Sequence, residues 1–464
     1  KEIPMTVHFA TTTDYAFVNE LLTFGEDYKP QVGDTVSECD FAAVDGTDFP
    51  GNEGIVVAQN SENDTSTIRD TESGTEYVVS NEEWFYVSES PHISAVWEKH
   101  LRRPFPDGIA FADALVSPEL VARLNADVER LIALEPVDYH PGSGTRVRDL
   151  VHPSLYPYIR DTSKINKVFH HGPALPYDRF GRTYESSKYQ WLPTPFHVAE
   201  DGSVTIRSYI NNLDQTRHAS TYDDLAALFA TALPLIESVV GYVDGTVFWK
   251  DDSETEHEGE LPENISLEAR PANVRNLRGR NLLVIPKIVE YRLGAGETHE
   301  GVWHVEGMSH EHIVATCVYV LDRDEALTGG ELRFKRPYTE EEAGHLFWNI
   351  SQSRPRALEA LVDEGTVPVG EVATPKGRLV VFPNSHIHKL SALKLADGAT
   401  EGRRRVIVFW IVDPNAPIPS TEEVPAQQGI LSHEEALAIR LELMEERKRH
   451  KQTLNVRAVS LCEH

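Results

Sequence analysis

Residues 300–316 read EGVWHVEGMSHEHIVAT, and the pair His304-x-Glu306 within them decides how the rest of the chain is read. A single residue separates the imidazole from the carboxylate. On an extended strand that spacing puts both side chains on one face, where one cation can meet both. A second imidazole from a distant strand would complete three ligands on one side of an ion and leave the opposite positions open.

The spacing alone is a weak signal. With 20 histidines and 73 acidic residues in 464, about three His-x-acid pairs arise by chance. The chain carries its own decoy in His433 and Glu435, where the capping box Ser432-x-x-Glu435 accounts for the acid. Residues 376–390, KGRLVVFPNSHIHKL, give the first pair a partner: a strand, a turn at Pro383 and Asn384, then His386 and His388. His304 and His388 lie 84 residues apart, room for four or five strands before the chain returns. Two imidazoles and a carboxylate form the facial triad of non-haem iron(II) oxygenases. TGGELRF (328–334) lies between them, a Gly-Gly turn entering a strand. Beyond them GRRRVIVFWIVDP (402–414) sets three arginines at the mouth of an apolar strand. A 2-oxo acid cosubstrate must be held by its distal carboxylate, which an arginine can grip with two parallel hydrogen bonds. Alternation puts Arg404 on the face of Val406, Val408 and Trp410, with Arg403 and Arg405 on the other.

Around this constellation the chain divides into three. Residues 1–93 are short apolar runs cut by Gly, Asn, Asp and Pro, the pattern of a small all-β barrel that could contact a protein partner. Its VGDTV and PGNEGIVV strings resemble barrels of the Src-homology-3 type. Residues 94–420 mix helices with dense strands. Ser117 and Pro118 open a helix carrying Leu120, Leu124, Val128 and Leu131. A second helix is predicted from about Thr221 to Val239, and strands flank the turn AEDGS. Residues 251–263 read as an acidic exposed loop, and 421–464 as a helix with an exposed face plus a tail. The fold class expected is α+β, a β-barrel or sandwich core with flanking helices.

Composition narrows the setting. The formal net charge of −29 argues against nucleic acid and anionic lipid as partners. Cys39, Cys317 and Cys462 are too few and too scattered for a disulfide framework or a zinc site, which suits a reducing cytoplasm. No run of about 18 apolar residues and no signal peptide is visible.

YQWLPTPF, SYINNL, WHVEGM followed by EHIVAT, and HKLSALKLADGATEGRRRVIVFWIVDP together resemble an uncharacterised family, a domain of unknown function, over roughly residues 95–414. That family in turn resembles the iron(II)/2-oxoglutarate-dependent dioxygenases. The resemblance implies a double-stranded β-helix (jelly-roll or cupin-like) core. It also implies Fe(II), 2-oxoglutarate and O2 as cofactors, and oxidation of a C–H bond in a small-molecule, amino-acid or peptide substrate, with release of succinate and CO2. Hydroxylation is the default outcome, and halogenation is disfavoured because Glu306 occupies the position a halide would need. His304 and Glu306 match the family's WHxEG motif. His388 matches its distal histidine, which follows a Phe-Pro turn and precedes a basic and an apolar residue. Arg404 matches its GHRK arginine. The chain departs at Ile387, Lys389-Leu390 and Ala392–Leu395, where the family has Gln, Arg-Val and PFRL, and at Asp214, where it has His. Lys394 thereby becomes a second candidate for the cosubstrate. His386 and His312 read as loop or supporting groups, and Lys287, Tyr291, Gln190, Trp191, Asn211 and Asn212 as candidate pocket lining. Three readings compete: an iron oxidase needing no 2-oxoglutarate, a silent metal-binding barrel, and a recruitment module dominated by residues 1–93.

Overall fold

β-Branched residues crowd Arg280–Gly294 and Glu401–Val412, the two longest strands of the computed structural model. They pair antiparallel from Val284↔Ile411 to Gly294↔Glu401. Branched side chains fit a pleated surface covered on both faces, so the strands read as continuous apolar runs rather than a clean alternation. The structure describes residues 7–454 apart from 10–11, 14, 25–27, 38–52, 81–85, 105, 161, 164–179, 181–186, 249–269, 272–273, 344–345, 347–357 and 359–364. Cys39, Cys462 and the acidic stretch 251–263 lie outside the described residues.

The strands that frame the site, numbered in chain order, are β1 (Val7–Phe9), β2 (Ala110–Asp113), β3 (Val147–Val151), β4 (Thr194–Val198), β5 (Val204–Ile206) and β6 (Arg280–Gly294). They continue as β7 (Ile313–Arg323), β8 (Leu332–Pro337), β9 (Thr366–Val372), β10 (Arg378–Pro383), β11 (Ile387–Leu390) and β12 (Glu401–Val412). The helices are α1 (Ala16–Leu21), α2 (Pro91–Leu101), α3 (Pro118–Leu134), α4 (Ala219–Gly245) and α5 (His433–Leu454). A nine-stranded antiparallel sheet runs β1-β2-β10-β7-β12-β6-β4-β5, with β3 also paired to β6. A second, three-stranded sheet runs β9-β8-β11.

Two cores divide the faces of the large sheet. On one face Val284, Ile407, Phe409 and Ile411 pack with Leu124, Leu131, Phe229 and Ile236 of α3 and α4. On the other, Ile285, Val289, Val406, Val408 and Trp410 face Leu332, Phe334, Val367 and Val369 of the small sheet. The order is therefore helices, large sheet, inner core, small sheet.

Several expected elements are present. Ser117 caps α3 by accepting from Leu120 N at 3.2 Å, and Leu120, Leu124, Val128 and Leu131 are buried. β4 and β5 pair across the AEDGS turn. Three expectations need correction. First, α4 is long and apolar enough to span a bilayer by length and composition, with mean hydropathy 1.7, although no such run was expected. Its window is 78% buried, and it packs on the large sheet as a core helix. Second, residue 93 is not a clean boundary. β1 pairs with β2 in the large sheet, and α1 buries Phe17, Val18 and Leu21 in the inner core. What lies between them and α2 is a five-stranded antiparallel sheet with its own core of Tyr28, Val36, Val56, Ile68, Val79 and Val87. Among the described residues its end strands, Glu76–Ser80 and Tyr86–Glu89, do not pair with each other, so a closed barrel is not shown. Third, α5 does more than present an exposed face: Arg440, Leu443 and Arg447 are buried against the main body.

Candidate metal centre

A two-residue backbone bridge brings the distant histidines together. His304 N donates to His388 O at 3.0 Å and His388 N to His304 O at 2.9 Å, so β11 lies against the His-x-Glu segment. The two rings sit 4.3 Å apart, centroid to centroid. Glu306 Oε1 is 3.6 Å from His304 Nε2 and 3.5 Å from His388 Nε2. The three donor atoms lie within 4.8 Å of one another, close enough to share one ion.

Both imidazoles are turned the right way for a metal. His304 Nδ1 faces Val302 O at 2.7 Å and His388 Nδ1 faces His386 O at 3.3 Å. A carbonyl only accepts, so each Nδ1 carries the proton and each Nε2 keeps its lone pair toward Glu306. Burial, followed by the neighbouring His304, pushes His388 below the ordinary histidine range and keeps it neutral. Burial works to raise the Glu306 carboxyl, but the adjacent His304 and His388 outweigh it and hold it well below the usual carboxylate range. An imidazole lone pair on each side of an ionised carboxylate is the donor arrangement a divalent cation requires.

The segment is fastened by groups whose role the sequence did not announce. Asn384 is buried, with its Oδ1 accepting from Glu306 N at 2.9 Å and its Nδ2 donating to Glu306 O and Ile313 O at 2.9 and 3.0 Å. Gly307 follows Glu306 at φ +64°, where a Cβ would meet Glu311 Oε2 and Ile313 Cδ1 at 2.7 Å. Glu311 closes the turn by accepting from Met308 N at 2.8 Å and Trp191 N at 2.6 Å. Arg447 of α5 then grips Glu311 with two hydrogen bonds, at 2.9 and 2.5 Å, and lies over the Trp191 ring. Phe382 and Phe334 pack on His388 at 4.6 and 6.1 Å.

The arginine run sorts as alternation requires. Arg403 pairs with Asp322, and Arg405 with Glu290 and Glu129. Arg404 is 2% exposed, lies over the Tyr291 ring at 5.6 Å, and has no ion pair or hydrogen bond among the described residues. Burial pushes it down to about 10, so it stays charged at neutral pH. A buried cation with no bonded anion among the described residues is costly, and a ligand carboxylate could fill that place. Lys394, by contrast, is exposed on the strand Leu393–Leu395 and does not join this interior set.

The family described as Protein of unknown function (DUF4246) matches residues 88–435. The chain belongs to that family. No curated protein matches it. Among solved structures, an oxidoreductase of the 2OG-Fe(II) oxygenase family from Burkholderia pseudomallei is 13% identical, with 68% of this chain and 88% of that one covered, at a TM-score of 0.30. A prolyl hydroxylase from Trichoplax adhaerens, in complex with a hypoxia inducible factor peptide fragment, is 9% identical over 67% and 85%, at 0.28. IDO from Bacillus thuringiensis is 10% identical at 0.19, and the match spans 28% of this chain and only 45% of that protein. At such low TM-scores these likenesses assign neither a ligand nor a reaction to the family member described here.

A second cluster, His140, Asp149 and His152, also brings three donors together. Its surroundings oppose a cation. Arg440 Nη1 is 3.8 Å from Asp149 Oδ2, and the positive field of Lys287 reaches both Asp149 and His152. Ser154 N donates to His152 Nδ1 at 3.1 Å, which puts the ring proton on Nε2. Among the described residues the largest influences on Glu306 and His388 include no Lys or Arg. Of the remaining sequence candidates, His386 is buried with Nε2 at 2.9 Å from Asp107 O, so it is neither a ligand nor an exposed loop group. Its carbonyl orients His388 instead. His312 ends the turn in a left-handed conformation while its neighbour Glu311 makes the organising contacts. Gln190 and Asn211 are committed to backbone carbonyls at 2.8 Å, and Asn212 N is held by Gln428. Lys287, Tyr291 and Trp191 belong to the inner face.

Proposed function

We propose that this protein is a non-haem iron(II)/2-oxoglutarate-dependent dioxygenase with a double-stranded β-helix core, acting on a small molecule, amino acid or peptide. The observation that carries the reading is the meeting of His304 Nε2, His388 Nε2 and Glu306 Oε1 around one point, in the protonation states metal ligands need. Arg404, buried and without an anion, supports the cosubstrate half. When bound, iron(II) with 2-oxoglutarate and O2 supplies the oxidising power for a C–H bond, leaving succinate and CO2.

The chain's own residues divide the work. His304, Glu306 and His388 hold the metal on one side, and the Nδ1-to-carbonyl bonds fix both lone pairs. Asn384 holds Glu306 at the correct place in the chain. Phe334 and Phe382 keep water from the protected flank of His388. Arg404 would pair with the C5 carboxylate of the oxo acid and set its orientation. A buried free thiol at Cys317 suits a reducing setting such as the cytoplasm.

The test uses anaerobic iron titration followed by succinate measurement. Wild type should bind one iron and form succinate from 2-oxoglutarate, while His388→Ala should weaken iron binding by about 100-fold. Arg404→Met should bind iron normally but raise the KM for 2-oxoglutarate at least about tenfold. A wild-type protein that takes no iron sinks the proposal; one that takes iron but never converts 2-oxoglutarate removes the cosubstrate half.

A further inference from the structure

We propose that the inner face around Lys287 and Trp410 is the substrate subsite of this centre, and that it accepts a monocarboxylate with an apolar remainder. The proposal deepens the dioxygenase reading and rests on it. Lys287 stands opposite Val408 in the β6–β12 register, in step with the inward residues Ile285 and Val289. Its Nζ lies 5.8 Å from the Trp410 ring centroid and has no hydrogen bond or ion pair among the described residues. Trp410 is 2% exposed, and its buried Nε1–H has no partner among the described residues. Thr316, the register partner of Trp410 on β7, is 1% exposed, and its hydroxyl likewise has no partner among the described residues. On its other side Thr316 pairs with Phe382, the residue packed on His388, which ties these groups to the metal centre.

All of these groups are donors or can donate. His152 adds another, because the bond from Ser154 N leaves its proton on Nε2. It approaches through Trp191, whose ring lies 6.5 Å from His152 and 4.7 Å from Trp410. Buried donors left without acceptors are rare and costly, so a site with two of them, Trp410 Nε1 and Thr316 Oγ1, beside one ammonium complements an anion. The charge of that anion is limited. Among the described residues Lys287 is the cation of the group that has no ion pair once Arg404 is assigned to the cosubstrate, since Arg440 is paired with Asp138 and Asp149 and Arg447 with Glu311. Asp149 is already present as a buried carboxylate: burial works to raise it, but His152, the His140 hydrogen bond and Lys287 bring it below the usual range. A dianion such as a phosphate would face that carboxylate with too little positive charge. The rest of the face, Val289, Val318, Val406 and Val408, is buried and apolar, which sets the character of the remainder.

The experiment titrates benzoate, benzamide and phenyl phosphate into the full chain by calorimetry. It is run on protein loaded with Mn(II) and 2-oxoglutarate, and repeated on protein without either. Benzoate should bind at least about tenfold more tightly than the neutral amide or the dianion. Lys287→Met should abolish that preference while leaving the affinity for 2-oxoglutarate unchanged, and Arg404→Met should do the reverse. Equal affinity for benzoate and benzamide overturns the subsite, as does a Lys287→Met protein, folded by thermal melting, that keeps the preference. Loss of 2-oxoglutarate binding in Lys287→Met would assign the lysine to the cosubstrate and also overturn it. If Mn(II) or 2-oxoglutarate fails to bind wild type, the dioxygenase reading falls, and the unloaded titration still decides whether the face selects a carboxylate.

Discussion

Asn384 uses one amide to fasten three backbone groups, the N–H and C=O of Glu306 and the C=O of Ile313. Asn384→Ala strands all three in a buried turn, so unfolding by urea should show a loss of about 2–4 kcal/mol, with iron affinity falling alongside. Normal iron affinity in a folded variant would show that the turn holds its shape without the amide. The clustering of His304, Glu306 and His388 could be anticipated because an HxE pair and a histidine after a Phe-Pro turn are local patterns. The role of Asn384 was not: a side-chain bond to a backbone 78 residues away leaves no spacing to read. His152 extends the residue scale to pH. Burial lowers its pKa well below the ordinary value, so the folded protein keeps it neutral while the unfolded chain takes up a proton below about 6.5. More protons on the unfolded chain mean that stability falls as pH falls, by up to about 1.4 kcal/mol per pH unit for one group. His152→Asn retains an acceptor for Ser154 N and should lose less stability between pH 7 and 5.5 in urea titrations. An acid limb identical to wild type assigns that loss to other histidines.

At the scale of elements, α5 acts as a brace for the metal turn. Its sequence, rich in Glu, Arg and Lys, resembles a solvated face, and much of it is one. Yet Arg440 reaches Asp138 at 2.5 Å, Leu443 is fully buried, and Arg447 pairs with Glu311, whose side chain is 0% exposed. Burial of these positions is decided by partners more than a hundred residues away, which helical periodicity cannot report. Removing one member of a buried pair leaves the other charge uncompensated, at a cost of about 3–5 kcal/mol. Arg447→Ala should therefore lower the melting temperature and loosen iron binding, because Glu311 holds the turn between Glu306 and β7. Arg447→Lys keeps the charge but not the two-pronged grip, and should fall between wild type and alanine in both measurements. If Arg447→Ala melts early yet binds iron as wild type does, α5 stabilises the fold without shaping the site.

At the scale of the whole molecule, the boundary expected at residue 93 does not separate the N-terminal segment from the main body. Turn-rich composition marks the five-stranded sheet well. It says nothing about β1, which extends the large sheet across a gap of about a hundred residues, or about α1, which is too short to show a helical period. α1 is clamped to α2 by Phe17 against Trp97 at 5.8 Å and by Glu20 with Lys99 and His100, both at 2.8 Å. Two deletions separate the alternatives. Removing residues 1–93 takes away β1 and α1 and uncovers the surface that Phe17, Val18 and Leu21 bury, at a cost on the order of 5 kcal/mol. That protein should melt at lower temperature or aggregate, and any loss of 2-oxoglutarate turnover would be secondary to folding. Excising only residues 28–89, with a short Gly-Ser bridge, leaves α1 against α2 and removes the separate core of Tyr28, Val36, Val56, Ile68, Val79 and Val87. It should keep iron binding and turnover, with a melting temperature near that of the full chain. Equal stability of the two shortened proteins would mean that β1 and α1 are appendages. Lost turnover in a stably folded 28–89 excision would make the five-stranded sheet part of the catalytic apparatus, because His304, Glu306, His388 and Arg404 remain in that chain.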